Sequence, residues 1–273
     1  ELATNEGSHL MSVRHPAVAG TFYPADPDEL RQAVGRAFDD ATPAPPGAPA
    51  PKALIVPHAG YPYSGAVAAS AYLRLAPARH TISRVVLLGP SHRVHLVGIA
   101  APVDNLFSTP FGMVLVDVDL RAAIGDLPGV LLDDLPHIHE HSLEVQLPFL
   151  QTVLDEFTLL PLSVGDTSAD DVATVLETVW GGPETLIVIS TDLSHYHRYD
   201  EANRLDARTA AAVVAASGAA IGDHDACGSR PLRGLLQVAS ARNMPIELID
   251  LRNSGDTAGD RDRVVGYGAF ALG

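Results

Sequence analysis

A chain of 273 residues of which 47% are hydrophobic can bury a sizeable core, which excludes intrinsic disorder for its body. The 33 acidic against 18 basic residues leave a net charge of −15, and no run of Lys or Arg marks a nucleic-acid or anionic-membrane partner. A single cysteine, Cys227, rules out an internal disulfide framework and CxxC zinc motifs; with no visible secretory signal and no apolar run near the ~18 residues of a membrane span, the chain reads as cytoplasmic.

The first ten residues, ELATNEGSHL, differ from the rest, and GSHLM resembles a cloning scar. Residues 1–10 are therefore expected to be an expression-tag remnant, with Met11 as native start and 11–273 as one domain. Asp28 is placed to cap a helix from Glu29 to about Phe38. After the connector TPAPPGAPAP come a buried-type strand in KALIVPH and a small-residue helix opened by Ser64. RVVLLGPSH reads as a second strand, LVGIAAP and MVLVDV as further strands, and DLRAAIGD as a short helix. The polar turn LPHIHEHS leads into LEVQLPFLQTVLDEF, a helix that Pro148 should kink or restart. TLLPLSVG, TLIVISTDLSH, IELIDLRNS and RVVGYGAFAL read as strands. SADDVATVLETVW, about Asp200–Ala216, and the segment after Cys227 read as helices. This alternation predicts an α/β fold, a single domain with a central mixed β-sheet flanked by helices.

Three of these strands share a grammar. ALIVPH, VVLLGPSH and LIVISTDLSH each run from an apolar stretch through a turn to a histidine. If the strands lie parallel and adjacent, His58, His92 and His195 emerge at one sheet edge, with Gly60, Gly89 and Pro90 allowing sharp turns there. Three converging imidazoles suit a divalent transition metal. Cys227 sits ahead of a helix, where the helix dipole and Arg230 would favour a thiolate. In HIHEHSLEVQ, His139 and His141 with Glu140 look like a metal cluster, yet the spacing is not HExxH, and His137 and His139 are expected to be solvated. His141 is expected to line a pocket, with Glu144, three residues on along a helix, orienting it. Asp192 is placed to orient His195, to cap the turn or to reach a metal. A Ser–His–Asp site with Ser190, Ser194 or Ser91 has little support, since no G-x-S-x-G elbow is present.

The segments PHAGYPYSG, LGPSH, EHSLEVQLPFL, STDLSHY and CGSRPL, in this order, resemble the signature segments of the MEMO family, whose prokaryotic members carry the label AmmeMemoRadiSam system protein B. RHPAVAGTFYP is similar to the family's start and VGYGAFAL to its end, so the resemblance spans Val13–Leu272. It implies a fold like that of LigB-type class III extradiol dioxygenases. By residue matches it implies a metal site of His58, His92, His195 and Cys227, with His195, Asp192 and His141 as the candidate catalytic groups. LigB-type enzymes use two histidines and a carboxylate. Here a thiolate stands in the carboxylate's place, so ring cleavage does not transfer directly.

The expected function is a redox enzyme that uses one iron(II) or copper ion, with zinc as the alternative metal. His58, His92 and Cys227 would hold the ion, and His195 would be an acid/base or a fourth ligand. A non-catalytic module holding a peptide, a small molecule or a metal is the reading from another class. Zinc-dependent hydrolysis with His195 or Asp192 as base is a third. The family label implies radical S-adenosylmethionine and AMMECR1-type proteins as partners. The edges at FGMVLVD and the terminal strands are candidates for homo-oligomer contacts.

Overall fold

The apolar runs of the central strands do not alternate with polar residues, because both of their faces are covered. Along Ala53–Val56, Leu54 and Val56 face one buried cluster while Ala53 and Ile55 face another. The same split separates Val85 and Leu87 from Val86 and Leu88, and Leu186 and Val188 from Ile187 and Ile189. A sheet with helices on both sides requires this pattern.

The computed structural model describes residues 12–273. The readings of residues 1–10 as a tag remnant and of Met11 as the native start lie outside the described residues. In chain order the elements are β1 (Val13–Arg14), α1 (Pro27–Asp39), β2 (Ala53–Val56), α2 (Tyr61–Tyr72), β3 (Arg84–Pro90), β4 (Ile99–Ala101), β5 (Leu106–Thr109), β6 (Gly112–Val116), α3 (Val118–Ile124), β7 (Val130–Leu132) and α4 (Leu135–Ile138). They continue with α5 (Leu147–Val153), β8 (Thr158–Val164), α6 (Ala169–Thr178), β9 (Thr185–Ser190), β10 (His195–His197), α7 (Tyr199–Val214), α8 (Ser229–Ala241), β11 (Ile246–Asn253) and β12 (Val264–Leu272).

The strands form one mixed sheet in the order β1-β5-β6-β8-β3-β9-β2-β12-β10, with β11 on β12 and β4 between β7 and β8. Its centre, β8-β3-β9-β2, is parallel throughout. β12 returns antiparallel to β2 and β11. Helices α1, α2 and α5 cover one face, and α6 and α8 the other. This is the predicted single domain with a central mixed sheet flanked by helices.

Several local expectations shift. Asp26, not Asp28, caps α1: its carboxylate accepts the N–H groups of Asp28 (2.9 Å) and Glu29 (3.0 Å). Pro27, with no N–H to satisfy, takes the first helical position. Helix α2 starts at Tyr61, three residues before Ser64, again with proline in its first turn. The expected helix 143–157 is broken. A 3-10 turn at Glu144–Gln146 precedes α5, which restarts at Pro148's turn. β9 ends at Ser190, so His195 is not on that strand's end; it opens β10, which pairs with β12.

His137 is buried, 1% exposed, rather than solvated, while His139 is exposed as expected. The His137 Nε2–H donates to the Ala100 carbonyl at 3.1 Å, and its Nδ1 is buried with no hydrogen-bond partner among the described residues. Burial is the main cause that lowers its pKa from 6.5 to about 4. A histidine depressed in the folded state contributes stability that is intact above the unfolded pKa and is lost as pH falls towards the folded one. His137 should therefore cost the metal-free protein about 3 kcal/mol of stability as pH drops from near 6.5 to near 4. Urea unfolding at pH 7 and pH 4.5 should show His137→Gln losing less stability than wild type over this interval. Equal losses would contradict the assignment.

Candidate metal centre

The adjacent parallel order β3-β9-β2 brings the loops after these strands to one edge. His58 lies two residues beyond β2, and His92 two beyond β3. His141 arrives from elsewhere, on the turn between α4 and the 3-10 turn at Glu144. Gly89 allows that approach. A Cβ at Gly89 would meet Ser142 Oγ at 2.8 Å and Leu143 Cδ2 at 3.0 Å, so the turn lies directly on the end of β3. Gly89 thus serves close packing within the strand, not the sharp turn expected of it, and Gly60 is the N-cap of α2.

Among the described residues, His58, His92 and His141 each offer a ligand atom, and these atoms lie within 4.8 Å of one another. The His92 and His141 rings stack at 4.7 Å between centroids, and His58 stands edge-on to both, at 5.2 and 5.4 Å. His58 is buried, His141 half-buried and His92 exposed, so the group opens to solvent on the His92 side.

Glu140 organises the turn. Its Oε1 accepts from His92 Nδ1 at 2.9 Å and from the His141 and Ser142 N–H groups at 3.0 and 2.9 Å. Its Oε2 accepts the His92 N–H at 2.6 Å. Burial alone would raise the Glu140 pKa. Hydrogen bonding and attraction from His92, with the backbone N–H donors, outweigh it and hold the carboxyl well below its usual range. An ionised carboxylate only accepts, so His92 carries a proton on Nδ1, and Nε2 is the nitrogen left to face a metal. Carboxylate–imidazole pairing of this kind orients metal-binding histidines. Glu140→Gln should weaken metal binding about 10–100-fold, measured by anaerobic competition with a chromophoric chelator.

Burial, then repulsion from the neighbouring imidazoles, holds the His58 pKa well below normal. Burial likewise lowers His141 to about 4, against the pull of Glu140. Both are neutral near pH 7, the form that binds metal. His141 Nδ1 is buried 3.3 Å from Glu140 Oε1 and makes no hydrogen bond among the described residues. Three imidazole ligand atoms this close together, two of them on neutral rings, fit a transition-metal ion.

Cys227 comes from the residue before the N-cap of α8. Its Sγ lies 3.2 Å from His58 Nε2 and accepts the Asp192 N–H at 3.2 Å. Its setting differs from the expected activated thiolate. Burial, with the Asp192 charge, pushes the thiol up, and Arg230 is taken by an ion pair with Asp166. The Asp192 carboxylate is engaged by the His58 loop: its Oδ1 accepts the His58 N–H at 2.7 Å, and burial raises its carboxyl to about 7. The turn-capping alternative describes that contact.

His195 stands outside the three-imidazole group, yet near enough to His58 and His92 for charge interactions. Its Nδ1–H donates to the Leu193 carbonyl at 2.8 Å, which leaves the lone pair on Nε2. Burial, with repulsion from His92, lowers its pKa.

Glu144 does not orient His141. Buried, it pairs with Arg14 and accepts from Tyr23 Oη at 2.6 Å and from the Ala17 and Val18 N–H groups at 2.7 and 3.0 Å. The helical spacing behind the expectation fails because residues 141–146 form a turn and a 3-10 segment. The carboxylate that serves the histidines is Glu140. Its signal in the sequence was its place between His139 and His141, a metal-like grouping without HExxH spacing.

The family profile described as "Memo-like protein" matches residues 14–271. A MEMO1 family protein of Aquifex aeolicus is 37% identical over 276 residues, covering 94% of this chain and 98% of its own. One of Methanopyrus kandleri is 35% identical over 279 residues, covering 95% and 98%. One of Aeropyrum pernix is 34% identical over 286 residues, covering 96% and 100%. Among solved structures, an uncharacterized protein of Escherichia coli K12 superposes with a TM-score of 0.47 at 12% identity, over 79% of this chain and 98% of that one. A profile match over almost the whole chain, joined by relatives above 30% identity end to end, means that this chain belongs to the MEMO family.

Proposed function

We propose that the protein is a redox enzyme that holds one iron or copper ion between His58, His92 and His141, with Cys227 Sγ as a further donor. The carrying observation is the set of three imidazole ligand atoms within 4.8 Å of one another, with the sulfur 3.2 Å from His58 Nε2. A soft thiolate added to imidazoles favours Cu(I), iron or zinc over magnesium or calcium. Bound there, such an ion supplies electron transfer and Lewis acidity towards a small-molecule substrate or oxygen.

The chain's own residues supply the remainder. The exposed side of His92 gives a substrate its approach. Buried His58 and half-buried His141 keep water from the inner side. His195, kept neutral and bearing its lone pair on Nε2, takes a proton from an acidic substrate hydroxyl. Asp192 anchors the loop that carries His58.

Anaerobic purification followed by elemental analysis, then oxygen uptake with catechol-like substrates, tests the proposal. The expected result is one equivalent of iron or copper and substrate-dependent oxygen consumption. Stoichiometric iron or copper without uptake for any substrate would favour a binding module. Zinc alone would favour hydrolysis. Loading with Co(II) should add a sulfur-to-metal absorption band in the near ultraviolet that is missing in Cys227→Ser; a band unchanged in that variant removes the sulfur from the donor set.

A further inference from the structure

The buried groups behind His58 form a closed hydrogen-bond chain. His58 Nδ1 lies 2.9 Å from Ser190 Oγ, at the end of β9. Ser190 Oγ lies 2.6 Å from the Ser142 carbonyl and 2.8 Å from Gln146 Nε2. Gln146 Nε2 lies 2.9 Å from the Pro57 carbonyl, and Tyr72 Oη donates to Gln146 Oε1 at 2.9 Å. Ser190, Gln146 and Tyr72 are each at most 1% exposed, so water does not compete for these bonds.

The direction of every bond follows from the two carbonyls. A carbonyl only accepts, so the atom of Gln146 that faces Pro57 is its amide nitrogen, and the Tyr72 hydroxyl meets its oxygen. The second amide hydrogen then points at Ser190 Oγ. The single hydroxyl hydrogen of Ser190 goes to the Ser142 carbonyl. Ser190 has one lone pair left, and the only bond that remains for it is one from an N–H on His58 Nδ1. We infer that Ser190 and Gln146 are positioning residues that lock His58 as the Nδ1–H tautomer and hold its Nε2 lone pair towards the His92–His141 group and Cys227.

Without this chain, His58 would be free to carry its proton on Nε2, beside the sulfur 3.2 Å away, and would then have no lone pair facing the centre. The arrangement parallels the part Glu140 plays for His92, but with neutral partners. A neutral hydroxyl fixes the tautomer without adding negative charge next to the already buried Asp192. The segment Glu140–Gln146 thus controls two of the three imidazoles, through Glu140 at one end and through the Ser142 carbonyl and Gln146 at the other.

The tautomer can be read on the metal-free protein. Its consequence for binding rests on the proposed metal centre. Ring-nitrogen NMR of 15N-histidine-labelled wild type at pH 7 should show His58 protonated on Nδ1, with Nε2 at the shift of an unprotonated nitrogen. A wild-type spectrum with the proton on Nε2 overturns the inference, with no variant needed. Ser190→Ala should move the population towards Nε2–H and weaken anaerobic iron(II) binding about 10–100-fold, while Ser190→Thr, which keeps the hydroxyl, should retain the wild-type tautomer. A Ser190→Ala protein that folds, keeps Nδ1–H and binds iron(II) within twofold of wild type also overturns it. Should wild type bind no iron, copper or zinc, the metal centre fails, and the metal-free spectrum still decides the tautomer.

Discussion

His58→Ala is expected to abolish stoichiometric binding of iron or copper while leaving the fold intact. Removing an outer hydrogen-bonding partner of a ligand typically costs about 10–100-fold in affinity. Losing the most central of three imidazoles should exceed that range. His58 alone of the three touches both the other rings and the Cys227 sulfur. His58 is also the group whose buried lone pair has least access to water as an alternative partner. Stability of the metal-free protein should fall by about 1–3 kcal/mol, because the substitution leaves a cavity and strips the buried Ser190 hydroxyl of its His58 partner. Elemental analysis and iron(II) titration of the variant, with circular dichroism and urea unfolding as controls, check both parts. A His58→Ala protein that retained a full equivalent of metal would show that the ion, if any, lies elsewhere.

The second large effect is expected far from any metal. Arg14 and Glu144 form an ion pair with side chains 2% and 0% exposed. Arg14 also donates from Nε to the His137 carbonyl at 3.0 Å and from Nη2 to the Glu140 carbonyl at 2.6 Å. Glu144 accepts from Tyr23 and from two backbone N–H groups of the segment after β1. The pair therefore staples the beginning of the described chain onto both ends of the turn that carries His141. Glu144→Ala should cost about 3–5 kcal/mol, because it leaves a buried guanidinium without its counter-charge and three donors without their acceptor. Arg14→Met combined with Glu144→Leu should be milder than either removal alone, since no unpaired charge remains. Urea unfolding at pH 7 of the single and double variants measures the coupling. Additive losses would mean that the pair is not a unit. Glu144→Ala should also weaken metal binding, through displacement of His141 rather than loss of a ligand.

Which strands end at the centre was legible in the amino-acid sequence. Three apolar runs with the same ending proved to be adjacent and parallel, because a strand buried on both faces must be continuously apolar and its direction is set by the helices that cross over it. Helix limits were legible to within a few residues, and were displaced where proline took a first turn, as in α1 and α2.

Which side chains meet across that edge was decided only by the tertiary structure. Local pattern placed His195 beside His58 and His92, whereas the turn bearing His141 closes the group of three, because a loop lies where its backbone contacts carry it. Those contacts are the Gly89 approach, the Arg14 staple and the Glu140 hydrogen bonds. The partners that orient the rings were equally hidden. Glu140 serves His92, Ser190 serves His58, and Glu144 serves Arg14, each across a separation of 48 or more residues. Residue type and spacing record how a segment folds on itself. They do not record which distant segment fills the remaining valence of a buried polar atom, and in this protein that choice shapes the candidate metal centre.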